Sequence, residues 1–370
     1  MRVTIVVSSL GRGGAERSAV TVAAGLAGLG HSVAVVTKHR RGEPEYRLPG
    51  GVRHVEVEAV AGDRRPVHRV RAARRRRRLL SDAIRGSEPD VVLSFTTEMN
   101  VRVLSALRGS RIPVVVSERN NPRAVRLPPK WRLLRRLTYR RADALVSLSH
   151  GVDECFRWFP AARRHVVHNA LPPDIHEQIR AEPVRALDRS ARWFVACGRL
   201  VQQKGFDILV DAFSAVAVDL AQWNLVIVGE GPDREALEKR VAGLGLAGRV
   251  LLPGRVRNPA ALFARADVFV LSSRFEGFGN VVIEAMAAGL PVVAFDCPYG
   301  PAEIIDNPGG NGVLVPPGDI ETLASAMREL AADDRLRSRM AEAGRERAGD
   351  FAVDRIIGLW EEVLERARHR

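Results

Sequence analysis

Short apolar segments rich in valine and isoleucine recur along this chain of 370 residues, and most are followed by a loop and a helix-like segment. Segments that are apolar on both faces are typical of parallel strands covered by helices on both sides. The alternation runs to about residue 168 and starts again at Trp193. We therefore predict an α/β protein with two Rossmann-like, doubly wound parallel-sheet domains in tandem, facing each other across a cleft.

The predicted elements divide the chain into two halves. The strands of the first half are predicted at 3–7, 33–37, 52–57, 91–95, 114–117, 144–148 and 165–168. Those of the second half are predicted at 193–197, 225–228, 250–252, 268–271, 292–295 and 313–315. At about 150 residues per domain, the length fits two domains. We place them at 1–172 and 173–351, with a linker at 170–190 and a C-terminal helix at about 352–368 that packs back on the first domain.

Positive charge is concentrated in two stretches of a chain whose net charge is +14. Residues 64–78 contain nine arginines and no acid, and residues 123–141 contain eight lysines or arginines and no acid. Such patches attract nucleic acid, anionic lipid or pyrophosphate, although a solvated basic face is the simpler interpretation. In the helix predicted at 67–85, Val70, Ala73, Leu80 and Ile84 have the spacing of a buried stripe. Our hypothesis is that 64–85 and 123–141 attach the protein to an anionic membrane surface.

Three classes of protein are disfavoured by simple counts. No run of about 18 apolar residues is present, so no membrane-spanning helix is expected. The three cysteines are far apart, which predicts neither a disulfide framework nor a Cys-x-x-Cys metal site. The N-terminus reads as a strand rather than a signal peptide. These features predict a cytoplasmic protein.

Two loops at predicted strand ends have the chemistry of a phosphate and sugar site. The first, 198–205, carries Arg199 and Lys204, a planar fork and a point charge that suit two adjacent phosphates. The second begins at Glu276, passes through Gly279 and enters a helix that carries Glu284. Unpaired backbone N–H groups at a helix start favour phosphate, whereas the carboxylates favour sugar and ribose hydroxyls. Together the loops predict a nucleotide-sugar site rather than a site for a bare nucleotide.

Other functions fit the residues less well. The glycine loop at 11–17 has neither the dinucleotide spacing nor a Walker lysine, which argues against a dehydrogenase and a P-loop enzyme. Paired carboxylates also occur in glycosidases, but hydrolysis requires no diphosphate clamp. A non-enzymatic nucleic-acid-binding protein is the rival from another class. Against it, no aromatic residue lies between the arginines of 64–78 to stack on bases, and we expect no nucleic-acid partner.

Four segments in a fixed order resemble glycosyltransferase family four. They are Gly13-Gly14-Ala15-Glu16, Gly198-Arg199-Leu200 with Lys204-Gly205, the 228–232 segment Val-Gly-Glu-Gly-Pro, and Glu276-Gly277-Phe278 with Glu284 and Gly289. The resemblance covers nearly the whole chain. It implies the GT-B fold and a retaining transferase that uses a nucleoside-diphosphate sugar. Segments 117–122 and 295–305 look most similar to transferases that add N-acetylhexosamines to lipid-linked or cell-envelope glycans.

The resemblance implies a role for each matched residue. Catalysis would fall to Arg199 and Lys204 at the donor diphosphate and to Glu276 at the transferred sugar. The donor would further contact Gly14, Val256, Phe278, Gly279, Asn280 and Glu284, the last through the ribose hydroxyls. The acceptor side would include Gly13, Glu118 and Arg119. Many family members carry a histidine where Glu118-Arg119 stands here, which leaves the role of Glu118 open.

The implied reaction moves a hexose or N-acetylhexosamine to an acceptor hydroxyl. A UDP sugar is favoured over a GDP sugar, and the acceptor is a lipid-linked or cell-envelope glycan or, alternatively, a small soluble molecule such as an aminocyclitol. No cofactor and no metal is expected, because two cations face the diphosphate and the sequence has no Asp-x-Asp pair. The enzyme is expected in the cytoplasm, with peripheral attachment to the inner face of the plasma membrane.

Overall fold

A computed structural model describes residues 1–11, 13–38, 46–57, 66–120, 122, 127–182, 187–188 and 190–370, with the side chains of 66–69 outside the description. The chain forms two compact units. The first comprises Met1–Ala170 and Val353–Arg370, and the second comprises Leu171–Ala352. The last helix of the chain therefore belongs to the first unit.

Each unit is built on one parallel sheet. The first sheet contains β1 (Arg2–Val6), β2 (Ser32–Lys38), β3 (Arg53–Val57), β4 (Val91–Phe95), β5 (Val114–Glu118), β6 (Ala144–Ser147) and β7 (Arg164–Val166). The second contains β8 (Arg192–Cys197), β9 (Trp223–Val228), β10 (Val250–Gly254), β11 (Val268–Leu271), β12 (Val292–Phe295) and β13 (Val313–Val315). The two parallel sheets and the α/β class confirm the predicted architecture.

Helices follow most strands. In chain order they are α1 (Gly14–Gly28), α2 (Pro66–Arg85), α3 (Thr97–Ala106), α4 (Pro129–Thr138), α5 (His150–Glu154), α6 (Ile175–Arg180), α7 (Phe206–Ala217), α8 (Arg234–Gly243), α9 (Pro259–Phe263), α10 (Asn280–Ala287), α11 (Pro301–Ile304), α12 (Ile320–Ala332), α13 (Asp334–Gly349) and α14 (Val353–Arg368). Among the described residues, none is both long and apolar enough to cross a membrane.

Strand order places one switch point in each sheet. The first sheet runs β3-β2-β1-β4-β5-β6-β7, and the second runs β10-β9-β8-β11-β12-β13. From β8 the chain moves outward to β9 and β10, then returns to the other side of β8 as β11. The loops after β8 and β11 consequently diverge from neighbouring strand ends, where ligands bind in open parallel sheets.

The core of the first unit includes α14. Trp360 is fully buried and its ring lies 5.9 Å from that of Phe95 on β4. Ile357 of the same helix contacts α1 at Gly25, where a Cβ atom would lie 2.3 Å from the isoleucine side chain. The glycine allows the two helices to pack closely.

Two details differ from the sequence predictions. In α2, Leu80 and Ile84 are buried, but Val70 is 54% exposed and Ala73 is exposed as well. The predicted buried stripe therefore covers only the C-terminal half of α2, which packs on α3 and β3. The segment 170–190 is not simply a linker, because it contains α6, which packs against α9 through a hydrogen bond from Asn258 to the Gln178 carbonyl.

Candidate active site

The turn that follows β8 holds Lys204 over the protein backbone. A 3-10 turn at Gln202–Lys204 leads to Gly205, whose φ of 61° is left-handed, and α7 then begins. A Cβ atom at Gly198 would lie 3.0 Å from Lys204 Cε, so the lysine stem lies directly over this glycine. A Cβ at Gly205 would lie 2.1 Å from the Ser272 carbonyl oxygen. Gly205 is needed because a backbone oxygen occupies the space of a Cβ, whereas a Cβ at Gly198 would require the Lys204 side chain to shift slightly.

Several hydrogen bonds fasten the loop after β11 to this turn. Ser272 Oγ donates to the Lys204 carbonyl at 2.9 Å. The backbone N–H of Arg274 donates to the Gln203 carbonyl at 2.8 Å, and Gln203 Nε2 donates to the Phe275 carbonyl at 3.0 Å. The two loops therefore form one rigid assembly at the switch point of the second sheet.

A second fastening lies at the outer end of the same loop. The Arg274 guanidinium binds both carboxylate oxygens of Asp207, at 2.9 and 2.7 Å, in the first turn of α7. Hydrogen bonding to Arg274 lowers the pKa of Asp207, so the pair stays charged at neutral pH. The bidentate geometry fixes the start of α7 relative to the loop after β11.

Lys204 and Glu276 form a close ion pair within this assembly. Lys204 Nζ lies 2.6 Å from Glu276 Oε1, and the two side chains are 16% and 9% exposed. Ser273 Oγ donates to the same oxygen at 2.7 Å. Among the described residues, none donates to Glu276 Oε2. One carboxylate oxygen is thus held by the protein, and the other is available to a ligand.

Arg199 lies one residue beyond Gly198 and is exposed. Within the described part of the chain, its guanidinium has no hydrogen-bond or ion-pair partner. Its backbone is nevertheless fixed, because Gly198 N–H donates to the Val228 carbonyl and Leu200 N–H donates to the Glu230 carbonyl. Arg199 therefore presents an exposed cation from a strand end whose backbone is hydrogen-bonded on both sides.

Helix α10 begins at Asn280, shortly after Glu276, Gly277 and Phe278. Gly279 adopts φ 97° and precedes Asn280, the first helical residue. Phe278 is buried, and its ring meets that of Phe351 edge-on at 5.5 Å. This anchor fixes the approach to the helix, and Glu284 follows in the second turn with its side chain half-buried.

Cys297 is a buried thiol whose pKa is influenced by both members of the ion pair. It is 2% exposed, and burial followed by the charge of Glu276 raises its pKa to about 12. The thiol is therefore protonated at neutral pH and is a poor nucleophile. Cys297 fills space beside the pair rather than taking part in covalent chemistry.

Val256 lies after β10, two strands away from β8. At about 4.8 Å per strand, the end of β10 is on the order of 10 Å from that of β8. Val256 is half-buried, and the neighbouring Arg255 is exposed. This spacing suits the far end of an extended ligand whose other end lies at Lys204.

In the first unit, the glycine turn after β1 is partly filled by its own side chain. Gly13 is the N-cap of α1, and a Cβ there would lie 2.0 Å from Glu16 Oε2. Ser8 Oγ donates to Glu16 Oε1 at 3.1 Å. Gly14 has open space around its Cα, with no atom of the described residues within 4 Å of a Cβ position. Any group approaching this helix start therefore meets the Glu16 carboxylate beside Gly13.

Glu118, at the end of β5, points into a buried polar network. Thr97 Oγ1 donates to its two oxygens at 3.0 and 2.8 Å, and the Tyr139 hydroxyl donates to Oε1. Asn100 in turn donates to the Tyr139 oxygen at 2.9 Å. Burial raises the pKa of Glu118, while the hydrogen bond from Tyr139 and the charge of Arg135 oppose that shift. The network ties β5 to α3 and to the turn after α4, and an acceptor-side role for Glu118 stays a prediction.

Arg119 points to a different part of the unit. Its guanidinium donates to the Val167 carbonyl at 3.1 Å and to Asn169 Oδ1. It also lies 5.8 Å from the ring centre of Trp360 on α14. Burial lowers its pKa to about 9, so it is still charged at neutral pH. Arg119 links β5, the segment after β7 and α14, and its acceptor-side role likewise stays a prediction.

The structure brings together two of the three residues predicted to be catalytic, Lys204 and Glu276, which lie 72 positions apart in the sequence. Sequence reasoning missed Ser273 and the Arg274–Asp207 pair, which hold the glutamate loop in position. The available signal was the run Ser272-Ser273-Arg274 directly after the buried strand β11. Polar residues at that point have to find partners at the carboxyl end of the sheet.

Two family sequence models match consecutive parts of the chain. The one described as "Glycosyltransferase Family 4" matches residues 12–175, and the one described as "Glycosyl transferases group 1" matches residues 179–347. Together the two models cover most of the chain, which belongs to glycosyltransferase family 4. The protein is accordingly a glycosyltransferase, as the resemblance of its motifs predicted.

Curated relatives carry related names. A Campylobacter jejuni enzyme is 26% identical over 370 residues, which are 100% of this chain and 99% of the relative. It is named GalNAc-alpha-(1->4)-GalNAc-alpha-(1->3)-diNAcBac-PP-undecaprenol alpha-1,4-N-acetyl-D-galactosaminyltransferase. A Streptomyces coelicolor exopolysaccharide phosphotransferase is 33% identical over 289 residues, which are 76% of this chain but 29% of the relative. The chain thus spans less than a third of that second protein.

Solved structures with the same fold confirm the GT-B architecture. A glycosyltransferase from Rickettsia africae superposes with a TM-score of 0.81 at 18% identity, covering 99% of this chain and 98% of that one. HepE from Anabaena, crystallised in complex with UDP, superposes with a TM-score of 0.80 at 20% identity, covering 99% and 100%. These similarities concern the fold.

Proposed function

We propose that this glycosyltransferase is a retaining enzyme that moves a hexose or N-acetylhexosamine from a UDP sugar to a hydroxyl of a lipid-linked or cell-envelope glycan. The observation that carries the proposal is the Lys204–Glu276 pair, held at 2.6 Å at the switch point of the second sheet. The Campylobacter jejuni relative, whose name describes N-acetylgalactosamine transfer to an undecaprenyl-linked glycan, supports the acceptor class. The UDP complex of HepE supports the choice of base.

In this proposal the positive groups act on the leaving diphosphate. Negative charge grows on the β-phosphate as its bond to the sugar breaks, and preorganised donors stabilise charge where it develops. Lys204 and Arg199 supply two cations, and the N–H groups at the start of α10 add a partial positive charge. Lys204 is already neutralised by Glu276, so binding of the diphosphate exchanges one anionic partner for another.

The carboxylates act on hydroxyl groups. Ser273 holds Glu276 through Oε1 when Lys204 turns to the diphosphate, which leaves Oε2 to accept a hydrogen bond from the transferred sugar. Glu284 on α10 accepts from the ribose, and the base lies toward Val256 after β10. The acceptor hydroxyl attacks from the face that the diphosphate leaves, and its proton passes to the departing phosphate oxygen. The new C–O bond then has the configuration of the one that broke.

Two further parts of the proposal concern cofactors and location. No metal or cofactor is required, because the two cations neutralise the negative charge of the diphosphate that a metal would otherwise neutralise. We further propose attachment to the inner face of the plasma membrane through the basic stretches 64–85 and 123–141. Residues 64–65 and 123–126 lie outside the described part of the chain.

A donor screen with product analysis tests this function. UDP sugars should raise the melting temperature through binding to the native state, while GDP and ADP sugars should leave it unchanged. With an α-linked donor and a polyprenyl-diphosphate glycan acceptor, proton NMR of the product should show an α linkage, and excess EDTA should not alter the rate. A β-linked product would contradict retention, stabilisation by GDP sugars alone would contradict the donor assignment, and loss of activity in EDTA would contradict metal independence.

A further inference from the structure

A groove on the first unit lies between α4 and the segment 158–163. It has a volume of about 480 Å³, and its walls include Arg136, Arg140 and Trp158. A smaller adjoining depression of about 220 Å³ shares these three residues and adds Phe159 and Arg163. No acidic side chain lines either space. The groove is therefore a basic and aromatic surface, separate from the residues of the second unit discussed above.

Helix α4 presents two parallel rows to this surface. Arg132 and Arg136 are four residues apart, so they form one row with a step of about 6 Å, and Arg140 follows in the 3-10 turn at Tyr139–Arg141. Leu133 and Leu137 form the adjacent row, and they are 62% and 54% exposed. A helix with one cationic and one apolar row at its exposed side is typical of segments that lie in a membrane interface.

Three exposed arginines of the groove have no acidic partner among the described residues. Within the described ranges, Arg132, Arg136 and Arg140 have no carboxylate at ion-pair distance. Arg136 instead lies over the ring of Trp158 at 5.5 Å, and Arg163 lies over Phe159 at 5.1 Å. Stacking of this kind orients a guanidinium. Arg163 Nη1 also donates to the Ala142 carbonyl at 3.1 Å, whereas the N–H groups of Arg136 have no hydrogen-bond partner among the described residues and are available to an anion.

We infer that this groove binds the phosphate headgroup of an anionic lipid within a bilayer, with Leu133 and Leu137 inserted at the boundary between headgroups and acyl chains. The inference rests on the membrane attachment proposed above and narrows it to one surface. The unpaired arginines are complementary in charge to a phosphate, and burial of the exposed leucines requires an apolar surface next to that phosphate. A nucleic-acid backbone satisfies the first requirement only, because it offers no apolar surface to the leucines. Trp158 adds a ring of the type that is enriched at membrane interfaces.

Vesicle co-sedimentation of the full-length protein tests the inference. Vesicles of phosphatidylcholine alone are compared with vesicles that contain phosphatidylglycerol. Each of two double variants should weaken binding to the anionic vesicles at least ~10-fold: Arg132→Gln with Arg136→Gln, and Leu133→Ser with Leu137→Ser. All four residues are exposed, so the variants should melt as the wild type does.

Two matched variants separate the groove from positive charge in general. Arg335 and Arg339 are exposed, are four residues apart on α13, and lie in the second unit. Their double glutamine variant removes the same charge and should bind as the wild type. The pair Arg74→Gln with Arg78→Gln removes two exposed arginines from α2 and should weaken binding less than the groove variant does.

The outcomes are distinguishable. If the wild type binds anionic vesicles no better than neutral ones, the groove inference and the proposed membrane attachment both fail. Glycosyl transfer from UDP sugars is tested separately by the donor screen. If the α2 or α13 variant loses as much binding as the groove variant, the attachment is general and the groove inference fails. If the leucine variant binds fully, the contact is purely electrostatic, as to a nucleic acid, and the inference also fails.

Discussion

At the scale of single residues, the chemistry depends on small side chains that admit other groups. Gly198 makes room for the Lys204 stem, and Gly205 makes room for the Ser272 carbonyl. Ser273 then holds the carboxylate that pairs with the lysine. These three neighbours carry no charge themselves, yet they help to position the charged pair.

Replacing Gly205 by alanine should disrupt both stability and transfer. The residue has φ 61°, and a Cβ would lie 2.1 Å from a backbone oxygen, so the turn has to move. We expect a loss of more than ~3 kcal/mol and a displaced Lys204. Gly318 is the matched control, because its φ is 82° but its Cβ position is open. Gly318→Ala should cost about 1–2 kcal/mol, with normal transfer. Equal losses of melting temperature in the two variants would contradict this account of the turn.

At the scale of elements, the sequence specified strands better than the polar contacts between them. Strands such as 91–95, 268–271, 292–295 and 313–315 have the predicted bounds, because continuous apolar runs at parallel-sheet length have few alternatives. Helix α6 was missed since its six residues lie among prolines and mixed charges, where periodicity is too short to detect. The predicted buried stripe of α2 was too long. Helical spacing identifies a possible apolar face, but it does not show how far along the helix the neighbouring elements cover that face.

The candidate site was predictable to a similar degree. Strand order was needed to know that the ends of β8 and β11 are neighbours, yet the motifs placed Lys204 and Glu276 in those loops correctly. The direction of Glu118 and Arg119 was not predictable. Adjacent residues at a strand end point to opposite faces, and only the packing of α3 and α14 on those faces shows what each side chain meets.

The network around Glu118 predicts a pH dependence that belongs to β5, α3 and α4 together. Burial raises the pKa of Glu118 in the folded protein above its value in the unfolded chain. The folded state therefore binds this proton more tightly, and stability falls as pH rises through the raised pKa. Between about pH 4 and pH 8, the urea midpoint of the wild type should fall relative to that of Glu118→Gln. The measurement is a series of urea titrations of both proteins across this range. A difference between the two urea midpoints that does not change with pH would contradict the prediction.

At the scale of the whole molecule, the chain returns to its first unit after completing the second. Helix α14 contributes Trp360, which is fully buried against β4 and beside Arg119. The stability of the first unit thus depends on residues that follow the whole of the second unit in the sequence. Truncation before residue 353 would expose the part of the core that this helix covers.

Trp360→Ala should destabilise the first unit by about 3–5 kcal/mol, because it leaves a large cavity and removes the ring beside Arg119. Leu359 is its neighbour on the same helix but is 40% exposed. Leu359→Ala should therefore change stability by less than about 1 kcal/mol. Thermal unfolding followed by circular dichroism compares the two variants. A small effect at Trp360 would show that α14 is not an essential part of this core.

The basic surfaces also belong to the scale of the whole molecule. The exposed arginines of α2 and the arginine and leucine rows of α4 both lie in the first unit. The Lys204–Glu276 ion pair and the predicted nucleotide-sugar loops lie in the second. Membrane attachment and donor binding should therefore be separable by mutation, with groove variants that keep their response to UDP sugars.

The most direct test of the central claim is the rate of sugar transfer by Lys204→Gln at saturating donor. Lys239 is the matched control, because it also pairs with a glutamate at 2.6 Å but lies exposed on α8. Arg199→Gln is a second variant that removes an exposed cation without leaving a carboxylate unpaired. The account predicts a fall in kcat of at least ~10²-fold for Lys204→Gln and for Arg199→Gln, with Lys239→Gln at the wild-type rate. Turnover near the wild-type rate in folded Lys204→Gln and Arg199→Gln would contradict the claim that these cations stabilise the leaving diphosphate.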